Sequence, residues 1–158
     1  MKQLLQTDNS TGLAICRISL DVLIDLRYRI LRAGLPKESA NFPGDDAPTT
    51  WHVGVFGSLE EKAPPLSCAS FMLNSYDGEP AWQLRGMATD TPHQRKSLGG
   101  KLLTAAESAI IQDQNVRLFW CNARVPAIPF YERHGWKVDS EEFEILTAGP
   151  HRKMVKRR

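Results

Sequence analysis

The sequence predicts an α/β (α+β) fold, carried by a single domain over residues 1–158. Three observations lead there. Short apolar runs rich in Val, Ile, Phe and Trp recur at strand length. Two longer stretches carry apolar residues three and four positions apart, the period of an amphipathic helix. The two patterns follow one another as β-α-β-β-β-α-β-α-β-β, an order that stacks helices on one sheet.

The first strand is Leu13-Ala-Ile-Cys-Arg-Ile-Ser19. Ser19 and Asp21 are both placed to cap the helix that follows. Its stripe is Leu20, Leu23, Ile24, Leu26, Ile30 and Leu31, and Gly34-Leu-Pro36 stops it. Arg27, Arg29 and Arg32 interleave with the stripe, and most of them are expected on the solvated side. Residues 36–50 form a Pro-, Gly- and Asp-rich loop of a length that goes with function or mobility. Trp51–Gly57 and Leu66–Asn74 are the second and third strands. The turn Tyr76-Asp-Gly-Glu-Pro80 leads into the fourth, Ala81–Thr89.

The second helix runs from Ser97 to about Asp113 and buries Leu98, Leu102, Ala105, Ala106, Ala109 and Ile110. Val116–Cys121 is apolar almost throughout, as a central strand is. Pro126 suits the first position of a short helix reaching His134, and Gly135 stands where a C-terminal glycine belongs. Trp136–Asp139 and Glu142–Leu146 read as a hairpin or two short strands, and Arg152–Lys156 as one more.

Composition excludes several classes. The net charge of +2 is too near balance to imply nucleic acid by itself; the basic tail His151–Arg158 reads as a solvated terminus, with contact to nucleic acid or another anionic partner as the alternative. No run nears the roughly 18 apolar residues of a membrane span, so no membrane partner is expected. The start Met1-Lys-Gln-Leu-Leu-Gln-Thr-Asp8 lacks the apolar core of a signal peptide. Cys16, Cys68 and Cys121 are odd in number, which without an export signal points to reduced thiols in the cytoplasm. None has the Cys/His spacing of a metal site, and no metal is expected.

The chemistry concentrates in Leu84–Leu103. A strand runs through a short polar loop into a helix whose first turn holds Gly99 and Gly100. Each glycine costs roughly 1 kcal/mol in a helix relative to alanine. Close approach of a ligand to bare backbone is the usual reason to accept that. Helix N-termini present unpartnered N–H groups and favour anions, and Arg95 and Lys96 add cations beside them. The combination reads as a pyrophosphate cradle, and the plainer alternative is two glycines serving helix–strand packing. It is neither a Walker A loop, since Arg95 and Leu102 occupy required positions, nor a GxGxxG fingerprint.

Gln94-Arg-Lys-Ser-Leu-Gly99 resembles the Q/R-x-x-G-x-G/A motif of the GNAT superfamily of acyl-CoA-dependent N-acyltransferases. Phe130-Tyr-Glu-Arg-His-Gly-Trp136 is similar to that family's F-Y-x-x-x-G-F segment, and it follows Asn122-Ala123 as in the family. Element order fits from about residue 13 to 156. The resemblance implies a central mixed, mostly antiparallel twisted sheet of six to seven strands, flanked by three to four helices. It departs at Ser97, where the family usually has glycine. A serine there is a candidate helix cap, and its Cβ a source of crowding against the cofactor.

The resemblance also implies roles. The amides of Gln94, Arg95, Lys96, Ser97, Leu98, Gly99 and Gly100 hold the pyrophosphate of acetyl-CoA. Met87, Ala88 and Thr89 pair their backbone with the pantetheine arm as an added strand would. Asn122 hydrogen-bonds the cofactor, and a backbone N–H near Met87 serves the oxyanion. Tyr131 is the candidate acid for the leaving thiolate, because a phenol keeps its proton at neutral pH. The plainer reading makes it a core aromatic beside Phe130. Arg85 needs an anionic partner, either a structural carboxylate or one on the acceptor. His151 is a candidate for the acceptor site and also an ordinary turn residue. Asp45, His52, Glu79, Asp90 and His151 are all candidates for the base.

The reaction expected is acetyl transfer from acetyl-CoA to a primary amine on a small molecule or peptide. The alternative is a non-catalytic acyl-CoA-binding or regulatory module. Edge strands leave a homodimer open.

Overall fold

Strand β1 (Lys2–Asp8) opens the chain and pairs antiparallel with β2 (Leu13–Ile18), Lys2 opposite Ile18 and Asp8 opposite Leu13. It lies outside every strand read from the sequence, because its residues are mostly exposed and show no apolar alternation. Its turn holds it instead. Gly12 N–H donates to Asp8 C=O at 2.8 Å, and Ser10 Oγ to Asp8 Oδ1 at 2.7 Å. Asp8 also pairs with Lys101.

The computed structural model describes residues 1–158. The chain forms two compact units, Met1–Met72 with Gly86–Asn115, and Leu73–Arg85 with Val116–Arg158. The remaining elements are α1 (Leu20–Leu31), β3 (Trp51–Phe56), β4 (Ser67–Leu73), β5 (Trp82–Thr89), α2 (Leu98–Gln114), β6 (Leu118–Arg124), α3 (Ile128–Arg133), β7 (Lys137–Val138), β8 (Phe143–Ile145) and β9 (Gly149–Arg157). Hydrogen bonding orders the nine strands β1-β2-β3-β4-β5-β6-β9-β7, with β8 on β9. β5 and β6 are parallel; β1/β2, β2/β3, β3/β4, β6/β9, β7/β9 and β8/β9 are antiparallel. The mixed, mostly antiparallel sheet is as expected. The count reaches nine because β1 adds an edge, while β7 and β8 pair separately along β9.

In the first unit α1 closes one core. Leu23 and Leu26 join Ala14, Cys16, Ile18, Phe56, Cys68 and Ala88, all buried, with Leu20, Val22, Ile30 and Leu31 packed against them. α2 buries Leu98, Leu102, Ala105, Ala106 and Ile110 of the stripe its spacing predicts; Ala109 is only partly buried, and Leu103 is buried in addition. It ends at Asn115 in the left-handed region, whose N–H donates to Ile111 C=O at 3.0 Å. No helix is long and apolar enough to cross a membrane.

Of the three arginines of α1 and its end, Arg29 is exposed and Arg32 half-buried, while Arg27 is the exception to the solvated side and fully buried. The helix read from Pro126 also divides. Val125–Ala127 is a single 3-10 turn, and α3 then starts at Ile128 with Pro129 in its first turn, since proline needs no N–H there. Gly135 does end α3, at φ +86°, with Trp136 N–H donating to Tyr131 C=O at 3.1 Å. In the second unit Tyr76, Ala81, Leu118 and Trp120 form the buried cluster, with Val155 against it.

Candidate active site

The end of β5 is shaped by one residue. Gly86 has φ +62° inside the strand, and a Cβ there would lie 2.8 Å from Arg27 Nε and 3.0 Å from Phe42 Cε2. A glycine in a strand pattern marks such an irregularity, and that signal was present in the sequence. The ladder to β6 is two pairs long, Trp82 opposite Phe119 and Gln83 opposite Trp120. Met87, Ala88 and Thr89 therefore follow the distortion outside that ladder. Ser67 Oγ lies 3.2 Å from Ala88 C=O and 2.9 Å from Thr89 Oγ1.

The loop then turns on Asp90, whose carboxylate accepts from Thr91 N–H at 3.0 Å and pairs with Arg29 at 3.0 Å. The Arg29 bond holds its carboxyl below the usual range. Gln94 Nε2 donates to Thr89 C=O at 3.0 Å, so this side chain ties loop to strand. Gln94, Arg95, Lys96 and Ser97 are exposed. The first intrahelical bond of α2 is Lys101 N–H to Ser97 C=O at 3.2 Å. Ahead of it, the N–H groups of Leu98, Gly99 and Gly100 have no carbonyl a turn earlier to receive them. They open, with the positive end of the helix dipole, onto the exposed cationic loop.

Ser97 does not cap. It adopts φ +62°, ψ 18°, and its side chain makes no capping hydrogen bond. A capping serine needs extended dihedrals to reach back to the third amide, and the left-handed region turns the hydroxyl away. The same angles explain why glycine suits this position. Arg95 is left-handed too, at φ +62°.

In the second unit Asn122 sits on β6 opposite Lys153 of β9. Its Oδ1 is shut off from solvent and has no hydrogen-bond partner. A buried orphan acceptor is costly, so this atom fits a residue that awaits a ligand donor. Tyr131 is buried on α3, edge-on to Phe130 at 5.2 Å and 5.5 Å from the Trp136 ring. Burial pushes its phenol well above 10, with the neighbouring Cys121 adding to the effect. Arg85, at the last β5 position of this unit, is half-buried and engaged with the protein. His151 is buried on β9. Its Nδ1 is 2.7 Å from Gly149 C=O, and its ring stacks on Phe143.

Each base candidate carries a bond of its own. Glu79 is held by Arg157 through both oxygens. Asp45 grips Arg27 at 2.6 and 3.2 Å and accepts from Phe42 N–H at 2.7 Å. His52 stands 2.7 Å from Ser70 Oγ by Nδ1 and 2.9 Å from Asp45 C=O by Nε2. Ser70 Oγ accepts from Arg27 at 2.6 Å, so its own proton goes to His52 Nδ1. That leaves the His52 proton on Nε2, donated to Asp45 C=O. Burial above all keeps this imidazole neutral, below 6.5. Asp45 and His52 lie in separate elements, and Arg27, which bonds Asp45 directly and reaches His52 through Ser70, carries no local signal of that link. No group of three or more His, Cys, Asp or Glu is gathered as a metal site would need.

The family model described as Acetyltransferase (GNAT) domain matches residues 56–138. A Bacillus subtilis relative, the uncharacterized N-acetyltransferase YitI, is 34% identical over 149 residues, covering 91% of this chain and 95% of its own length. Among solved structures, Escherichia coli ElaA superposes with a TM-score of 0.69 at 15% identity, over 87% of this chain and 89% of ElaA. An aminoglycoside 6'-N-acetyltransferase complexed with coenzyme A gives 0.68 at 13% identity, over 90% of this chain and 96% of that one. At such identities these likenesses concern the fold.

Proposed function

The chain belongs to the GNAT acetyltransferase family, and from that premise we propose that it moves an acetyl group from acetyl-CoA to a primary amine by direct attack in a ternary complex. As a member it is an acyltransferase. One observation carries the cofactor assignment: the unpartnered first-turn amides of α2 open on the exposed loop of Arg95 and Lys96, directly after β5. That arrangement suits a diphosphate. The coenzyme A held by the aminoglycoside acetyltransferase, a structural likeness, supports the same reading.

In this reading the amides from Gln94 to Gly100 bind the pyrophosphate, and the β5 backbone at Met87, Ala88 and Thr89 lies along the pantetheine arm. Asn122 supplies its orphan Oδ1 to a cofactor N–H. The acetyl thioester is already activated, so the protein's work is to orient it, polarise its carbonyl through the Met87 N–H, and supply a proton to sulfur. Tyr131 supplies that proton. Its raised pKa keeps it protonated, though a weaker acid. A thiolate leaving in a dehydrated site rises in parallel, as burial lifts the Cys68 thiol to about 12. Arg85 and His151 are proposed for the acceptor.

The acceptor is a small-molecule or peptide amine, and the setting the cytoplasm; no metal, membrane or nucleic acid takes part. One domain over 1–158 carries the reaction, with a homodimer the assembly to test by light scattering. Titration calorimetry with CoA and acetyl-CoA tests the cradle: heat is expected with both, and none with either refutes it. Thiol release over a panel of amines, amino acids, aminoglycosides and lysine peptides tests transfer.

A second reading, a non-catalytic acyl-CoA-binding module, is favoured by one fact: every candidate base is engaged with a protein group. Binding without thiol release on any amine would select it.

A further inference from the structure

Five elements of the first unit converge on one buried guanidinium. α1 supplies Arg27, the 36–50 loop supplies Asp45 and Ala40 C=O, β4 supplies Ser70, and β3 supplies His52 behind Ser70. The fifth is β5, through Gly86: Arg27 Nε is the atom nearest to where a Gly86 Cβ would stand, at 2.8 Å. Phe42 completes the cup. Its ring faces Gly86, lies 4.3 Å under the Arg27 guanidinium, and its N–H is held by Asp45.

Stability does not explain this arrangement. A buried ion pair returns in attraction about what it loses in desolvation, and apolar packing would serve a core as well. What the pair provides is direction. Both guanidinium nitrogens that carry two hydrogens are spent on fixed acceptors, so the plane of the group is set. That plane abuts the one left-handed residue of β5, and the next residue is Met87. A glycine inside a strand marks a bulge or a place where other atoms approach the backbone closely, and here those atoms are Arg27 Nε and Phe42 Cε2.

We propose that the Arg27–Asp45–Ser70–His52 assembly is a positioning device for acyl transfer, which holds the Gly86 distortion and thereby aims the Met87 N–H at the thioester carbonyl. Arg27 and its partners are positioning residues; they act through the β5 backbone. The inference rests on the acetyl-CoA reading and on Met87 as the oxyanion donor.

The test needs no acceptor. Isotope-edited infrared difference spectroscopy reads the carbonyl stretch of ¹³C-acetyl-CoA bound to the full chain. A donated hydrogen bond lowers that frequency relative to free acetyl-CoA, and the wild-type protein is expected to show the lowering. Arg27→Lys keeps the charge and loses the planar fork. Ser70→Ala keeps the Arg27–Asp45 pair, and so the fold, while cutting the link to His52. In both, the band is expected to return most of the way to the free position. Calorimetric affinity for acetyl-CoA stays within about threefold of wild type, under 1 kcal/mol.

A folded Arg27→Lys or Ser70→Ala protein with normal affinity and the wild-type band overturns the proposal, leaving the assembly a structural fixture. Loss of acetyl-CoA binding in Ser70→Ala overturns it as well, because misaiming one donor does not release the diphosphate. No heat with wild-type protein removes the acetyl-CoA reading and this inference together. A wild-type band that binding leaves unmoved removes only the inference.

Discussion

Gly86→Ala is the substitution whose cost the structure lets one build from parts. The first part is backbone. At φ +62° an L-residue carries roughly 1–2 kcal/mol of left-handed strain. The second is space. The new Cβ would meet Arg27 Nε at 2.8 Å and Phe42 Cε2 at 3.0 Å. A flexible side-chain end would move aside, but Arg27 is held by Ala40, Asp45 and Ser70 and cannot. Overpacking against a fixed neighbour costs about 1–3 kcal/mol. The sum is about 2–5 kcal/mol, which for a chain of this size lowers Tm by on the order of 10 °C. Gly78→Ala is the matched control: φ is +77° and nothing lies within 4 Å of its Cβ, so it carries the backbone part alone. Both variants are followed by thermal and urea unfolding. Gly86→Ala is expected to lose clearly more than Gly78→Ala. Equal losses would refute the argument that a fixed Arg27 presses on β5.

Tyr131→Phe should lower turnover by about ten- to a thousandfold while leaving CoA affinity near normal, and unchanged turnover would remove the acid role. Gly99→Glu should abolish the calorimetric signal with CoA, since it fills the cradle and adds negative charge. Ser97→Gly relieves left-handed strain at some cost in unfolded-chain entropy. It should stabilise by about 0.5–1 kcal/mol in urea unfolding and tighten CoA binding. His52 is held below 6.5 when folded, so below that pH the unfolded chain binds the extra proton. Stability should fall as pH drops from 6.5 toward the depressed value and level off beneath it. His52→Gln should flatten that stretch of the curve, and an unchanged curve would place the titration elsewhere.

The local patterns carried much of the molecule. Apolar spacing located α1 and α2 because a helix repeats its buried face at a fixed period, whatever it packs against. Gly99, Gly100 and the cations before them mark the proposed anion site for an equally local reason: unpartnered amides belong to any helix start. Gly135 ended α3 because a left-handed residue is the cheapest way out of a helix. Other features had no local cause. β1 exists through its turn and the Asp8–Lys101 pair rather than through any apolar alternation. Ser97 reads as a cap in one dimension and is a left-handed hinge in three. Arg27 stands in a row of arginines indistinguishable by residue type, and it is buried because Asp45, Ser70 and Ala40 C=O arrive from separate elements to satisfy it. Desolvating a charge is tolerable only where partners converge, and convergence is a property of the folded chain.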